Sequence, residues 1–226
     1  MIAFVLALAL AAQEPSAEVL QRIAPVQAAI DAEVARQAAL PPPRNDAERL
    51  DRMGAMDQVG RRALIAVDLN DLPEAERQAA NDVLWAPVSA MDNRLTAKLL
   101  KMVPPKGWFL KSVYGEQGSG AAFLIIQHSD LELWRRFVPI LEPLVALGEV
   151  DGSEYGLMYD RLAINEDRPQ RYGTQMACIG GRWAIDYANL EDPENADARR
   201  EAMGFMQTLA EYEMNFAAYP ACTPTP

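Results

Sequence analysis

Apolar residues recur every three to four positions through the first half of the chain. Val19, Ile23, Val26, Ile30 and Val34 follow Ser16, a residue suited to cap a helix, so the spacing predicts an amphipathic helix with a kink or break at Pro25. Pro41-Pro42-Pro43 stops it and marks a linker. Leu50, Met53, Met56, Leu64 and Val67 predict a second helix over 45–68. A third starts at Asp71-Leu72-Pro73 and reaches about Lys101, bent near Pro87.

The pattern then breaks into shorter pieces. Pro104-Pro105-Lys106-Gly107 is a turn, 108–113 reads as extended, and Gly115, Gly118 and Gly120 read as a loop. No Lys-Ser/Thr pair follows those glycines, so this is not a phosphate-binding loop. Ala121 to His128 is almost wholly apolar and predicts a central helix. Asp130 caps the next, 131–147, which Pro139 and Pro143 kink or divide. Ser153 caps a further helix to Asn165. From 172 to 187 β-favouring residues flank Gly180-Gly181, the signature of a two-residue hairpin turn. A last helix runs from Asp192 to about Phe216. The expectation is a mainly α protein with one β-hairpin: a helical extension with its linker over 12–43, a single globular domain over 44–216 and a tail over 217–226.

Residues 1–11 carry no charge, and Ala9 and Ala11 occupy the −3 and −1 positions of a signal-peptidase site before Ala12. The pattern predicts a signal peptide and a periplasmic or secreted protein, although no Lys or Arg precedes the apolar run. Two cysteines, Cys178 and Cys222, could pair in such a compartment or stand as unrelated small residues. Neither has metal-ligand spacing, and a lone histidine argues against a zinc site of Cys and His, so no metal or cofactor is expected.

Composition narrows the function classes without choosing one. At 226 residues and 50% hydrophobic the chain is too apolar to be disordered. Acids outnumber bases 32 to 21, for a net charge of −11, which is the wrong balance for neutralising nucleic-acid phosphates. No apolar run beyond the N-terminus is long enough for a membrane span in the mature chain.

Candidate chemistry gathers at a few polar positions. His128 is the one histidine and the natural acid–base, or a ring packed at a helix end. Asp160 and Arg161 are adjacent on a helix, so they point about 100° apart and must pair elsewhere or stay partly solvated. Asp57 and Arg61 form an i, i+4 pair, of the kind usually found on a surface. Pro169 to Gln175 is the densest polar stretch, with Tyr172, Thr174 and Gln175 as donors and acceptors and Gly173 allowing close approach.

The order Asp57-Gln58-x-x-Arg61, Asp92-Asn93, Gly107-Trp108, Gln127-His128, Asp160-Arg161 and Gln170-x-Tyr172-Gly173-Thr174-Gln175, then Asp192 and Asp197-x-Arg199-Arg200, resembles the bacterial family catalogued as domain of unknown function 6624 over about residues 45–215. The resemblance implies a shared fold and motif set, not an activity. Its polar character supports a small-ligand site. His128, Asp160 and Asp57 are then the candidate catalytic groups, and Arg161, Gln127, Tyr172, Thr174 and Gln175 the candidate ligand-binding groups. The ligand would be a small molecule or an envelope component. The alternative is a non-catalytic cell-envelope or protein-binding module, in which the same residues form a structural polar network.

Overall fold

A computed structural model describes residues 14–222. The signal peptide expected at 1–11 and the last four residues of the tail lie outside the described residues. Among these are eight α-helices and one two-stranded antiparallel hairpin: α1 (Ala17–Ala38), α2 (Asp46–Leu64), α3 (Glu74–Leu100), α4 (Lys111–Gln127), α5 (Leu131–Val145), α6 (Gly152–Asn165), β1 (Ala177–Ile179), β2 (Arg182–Ala184), α7 (Ala196–Ala202) and α8 (Leu209–Met214). Short 3-10 turns stand at Tyr187–Asn189 and Pro193–Asn195. No helix of the described residues is long and apolar enough to cross a membrane.

The chain forms two compact units. Among the described residues, one comprises 14–42 with Ala55–Arg94; the other comprises Pro43–Gly54 and 95–222. In the first, the Ser16 hydroxyl accepts from the Val19 N–H and starts α1, which buries Val19, Ile23, Val26 and Ile30 and runs through Pro25. Gly60 of α2 sits where three helices meet. A Cβ there would come within 3.0 Å of both Ile30 on α1 and Val88 on α3. Arg61 pairs with Asp92 through two parallel bonds of 2.9 and 2.8 Å and lies 3.6 Å from Asp57, which is buried. The Asp57–Arg61 pair is therefore part of a half-buried network rather than a surface ion pair.

In the second unit the aromatic centre is Trp108, edge-on to Phe137 with ring centroids 5.3 Å apart, and flanked by Phe109. Several expectations are corrected here. Residues 108–113 are not one extended run, because α4 starts at Lys111. Gly115, Gly118 and Gly120 lie within α4 rather than in a loop, although Gly115 (φ 73°) breaks its helical path. One close approach between helices is made here: Ala121 of α4 meets Gly54 of α2, where a Cβ would stand 2.8 Å away. Asp151, not Ser153, caps α6, accepting from the N–H groups of Ser153 and Glu154. The second helix ends at Leu64, four residues short of Asp68. The hairpin strands are three residues each, since 172–176 is loop, and Gly180 and Gly181 take the positive φ values of its turn. The last helix is two helices, divided at Gly204 (φ 80°).

Gly120 also leaves room for a carboxyl. A Cβ there would stand 3.2 Å from Glu154 Oε1 on α6. Burial, reinforced by Asp151 and opposed by Lys111, pushes the Glu154 carboxyl up to about 7. The folded chain thus holds a proton that the unfolded chain releases near pH 4.3, so this group makes stability fall as pH rises from about 4.3 to 7. Glu154→Gln removes that term. Relative to wild type the variant is expected to gain on the order of 3 kcal/mol in urea unfolding between pH 4 and pH 8. A difference that does not change with pH would contradict this placement of the charge.

Candidate functional site

The polar loop 169–175 is organised from beneath by α6. Asp160 is fully buried, and its carboxylate accepts from the backbone N–H groups of Arg171 (2.7 Å), Tyr172 (3.1 Å) and Thr174 (2.9 Å). Burial pushes this carboxyl above its ordinary value, while the three backbone donors pull the other way. Gln170, also buried, closes the loop from within: its amide donates to the Gln175 carbonyl at 2.9 Å and its Oε1 accepts from the Gln175 N–H at 2.8 Å. Gly173 takes φ +64°, and a Cβ there would meet Leu209 at 2.5 Å, so the turn requires glycine. From the other side Arg200 donates to the carbonyls of Tyr172 (2.7 Å) and Gln207 (2.9 Å). Tyr172 itself is packed between Tyr159 and Phe205.

Arg161, one residue on, faces another way, as the helical rotation requires. It donates to the Gln127 carbonyl at 3.0 Å and lies 5.7 Å over the Trp134 ring. The carbonyls at the end of α4 have no intrahelical partner. Ser129 and Trp134 satisfy the Ile126 carbonyl at 2.6 and 2.9 Å, and Arg161 the next, where a cation also complements the helix dipole. His128 is the residue that closes α4.

Arg161 also lines a cavity of about 340 Å³, together with Thr174, Gln175, Trp183 and Tyr212. Phe216 and Tyr219 complete the aromatic side. The Gln175 amide donates to the Thr174 hydroxyl at 3.0 Å, and the Tyr212 hydroxyl donates to the Thr174 carbonyl at 3.1 Å. The lining therefore combines one guanidinium, an amide and the hydroxyls of Thr174, Tyr212 and Tyr219 with four aromatic rings.

Of the residues singled out from the sequence, Arg161, Thr174 and Gln175 share this cavity, whereas Asp160 and Tyr172 lie in the packed layer behind it. Gln127 contributes its carbonyl to Arg161. Asp57 belongs to the other unit, bonded by Gln58 at 2.7 Å. Trp183, Tyr212, Phe216 and Tyr219 were not identified from sequence. The available signal was Cys222, because Cys178 and Cys222 form a disulfide with Cα atoms 5.7 Å apart, which brings the supposed tail back over the hairpin.

The family model described as "Family of unknown function (DUF6624)" matches residues 47–219, and the chain belongs to that family. No curated protein and no solved structure matches the chain.

Proposed function

We propose that this member of the family is an exported domain that binds a small molecule in the Arg161 cavity, and that the ligand is flat and apolar with an anionic group. The carrying observation is the lining: a guanidinium with the Thr174 and Gln175 side chains beside it, set against Trp183, Tyr212, Phe216 and Tyr219. A cavity of about 340 Å³ is within the range of small-molecule sites, which pair apolar walls with a few orienting polar groups. Aromatic rings supply stacking area, and a planar guanidinium suits a carboxylate, sulfonate or phosphate. The Cys178–Cys222 disulfide supports export, because such bonds persist in oxidising compartments. The bonding of Asp160, Gln170 and Arg200 favours a structural role for those three: they hold the loop from which Thr174 and Gln175 line the cavity.

Titration with 2-naphthoate and with neutral 2-naphthamide, followed by saturation-transfer NMR and calorimetry, tests the reading. The carboxylate is expected to bind and the amide to bind at least tenfold more weakly. Arg161→Ala is expected to weaken naphthoate binding 10- to 100-fold, the worth of a charge-assisted hydrogen bond. Arg161→Lys, which keeps the charge, should restore part of it. Equal binding of acid and amide, or no effect at Arg161, would overturn the proposal.

A further inference from the structure

One wall of the cavity comes from the last described segment of the chain. Tyr212 lies on α8, and Phe216 and Tyr219 follow it. Up to Asn215 the segment is held without covalent help. The Leu209 N–H donates to Asp197 at 2.7 Å, the Tyr212 hydroxyl to the Thr174 carbonyl at 3.1 Å, and the Ile185 N–H to Glu213 at 3.2 Å. Beyond Asn215 the attachment to the hairpin falls at Cys222. Its N–H donates to the Gly181 carbonyl at 3.1 Å, and its sulfur is bonded to Cys178. Between these anchors Phe216 leans on Tyr212 with centroids 5.4 Å apart, and Tyr219 on Phe216 at 5.0 Å.

This stretch borders two concavities. Trp183, Phe216 and Tyr219 line both the Arg161 cavity and a second concavity of about 560 Å³. Tyr219 is 58% exposed. A partition with so little backing depends on its end anchors for its position. Both cysteines are half-buried rather than sealed in the core.

We propose that the Cys178–Cys222 disulfide is the latch of this wall, so that ligand binding belongs to the oxidised chain. The inference rests on the reading of the Arg161 cavity given above. The reductant is a dithiol. Its thiolate attacks one sulfur of the bridge, the other cysteine leaves as thiolate, and the second thiol resolves the mixed disulfide. Two electrons and two protons pass to Cys178 and Cys222, and the dithiol becomes a disulfide. The segment past Asn215 then retains one backbone bond at its end, the wall opens, and the aromatic face of the site is lost.

The test compares the oxidised chain, the chain reduced with dithiothreitol, and the Cys178→Ser/Cys222→Ser variant. Amide hydrogen exchange over 216–222 is expected to rise at least tenfold in the last two, with exchange over 158–163 of α6 and the far-ultraviolet dichroism unchanged. The affinity for 2-naphthoate is expected to fall at least tenfold. Tyr219→Ala with the disulfide intact is expected to give a similar loss of affinity, which keeps the test open should the cysteine variant fold poorly. Unchanged exchange over 216–222 would overturn the latch. Faster exchange with unchanged naphthoate affinity would overturn the coupling and leave the cavity reading standing. An oxidised chain that does not bind naphthoate would overturn the cavity reading and this inference with it.

Discussion

Replacing Asp160 with alanine is expected to cost on the order of 4 kcal/mol of stability. Its carboxylate receives three backbone N–H groups from a loop 11 to 14 residues further along the chain. Removing it orphans donors at Tyr172 and Thr174 in a buried setting, each worth about 1–3 kcal/mol, and leaves a gap under the loop. Asp160→Asn should recover only part, since its Oδ1 can still accept from Arg171 and Tyr172 while its NH2 faces the Thr174 N–H, which needs an acceptor. Urea unfolding measures the effect, and a loss below about 1 kcal/mol would contradict the placement. The neighbouring Arg161→Ala separates the roles. It should shift naphthoate binding strongly while costing far less stability, because Arg161 lies at the cavity and Asp160 behind it.

That division was only half legible in the sequence. Helical geometry says that Asp160 and Arg161 diverge, but not which of them turns inward. Asp160's partners are main-chain groups, and no residue type announces a backbone N–H. α1 was legible because Ser16 and the spacing from Val19 to Ile30 act locally. The hairpin turn was legible because Gly180 and Gly181 supply the positive φ that the turn demands. The glycines of α4 misled in part because one cause is tertiary: Gly120 stands beside Glu154 of α6, a close approach invisible in a local window. The aromatic wall was hidden for the same reason. Phe216 and Tyr219 follow a helix that ends at Met214, in a segment that a disulfide 44 residues in span ties to the hairpin.

The same logic makes Arg200 the second position of large effect. It is 2% exposed, yet it is charged, and burial lowers its pKa without bringing an arginine near neutrality. It is retained at that cost because its planar fork meets two demands at once. It donates to the Tyr172 and Gln207 carbonyls while its guanidinium carbon lies 4.5 Å from the Phe205 ring centroid and 5.1 Å from that of Tyr212. Arg200→Ala should therefore cost about 3–5 kcal/mol, from the buried Tyr172 carbonyl and the half-buried Gln207 carbonyl left without this donor and from the space opened between the rings. Arg200→Lys should recover less than half, because one ammonium cannot reproduce the fork or the ring contacts. Asp160 and Arg200 clamp the same residue, one through the Tyr172 N–H and the other through its carbonyl. Once either clamp is gone the loop is loosened and the other has less to hold. The Asp160→Ala/Arg200→Ala double variant should thus lose at least 1 kcal/mol less than the sum of the single losses. Strict additivity would mean that the two act on separate parts of the fold, and that the polar loop is not the single unit its bonding describes.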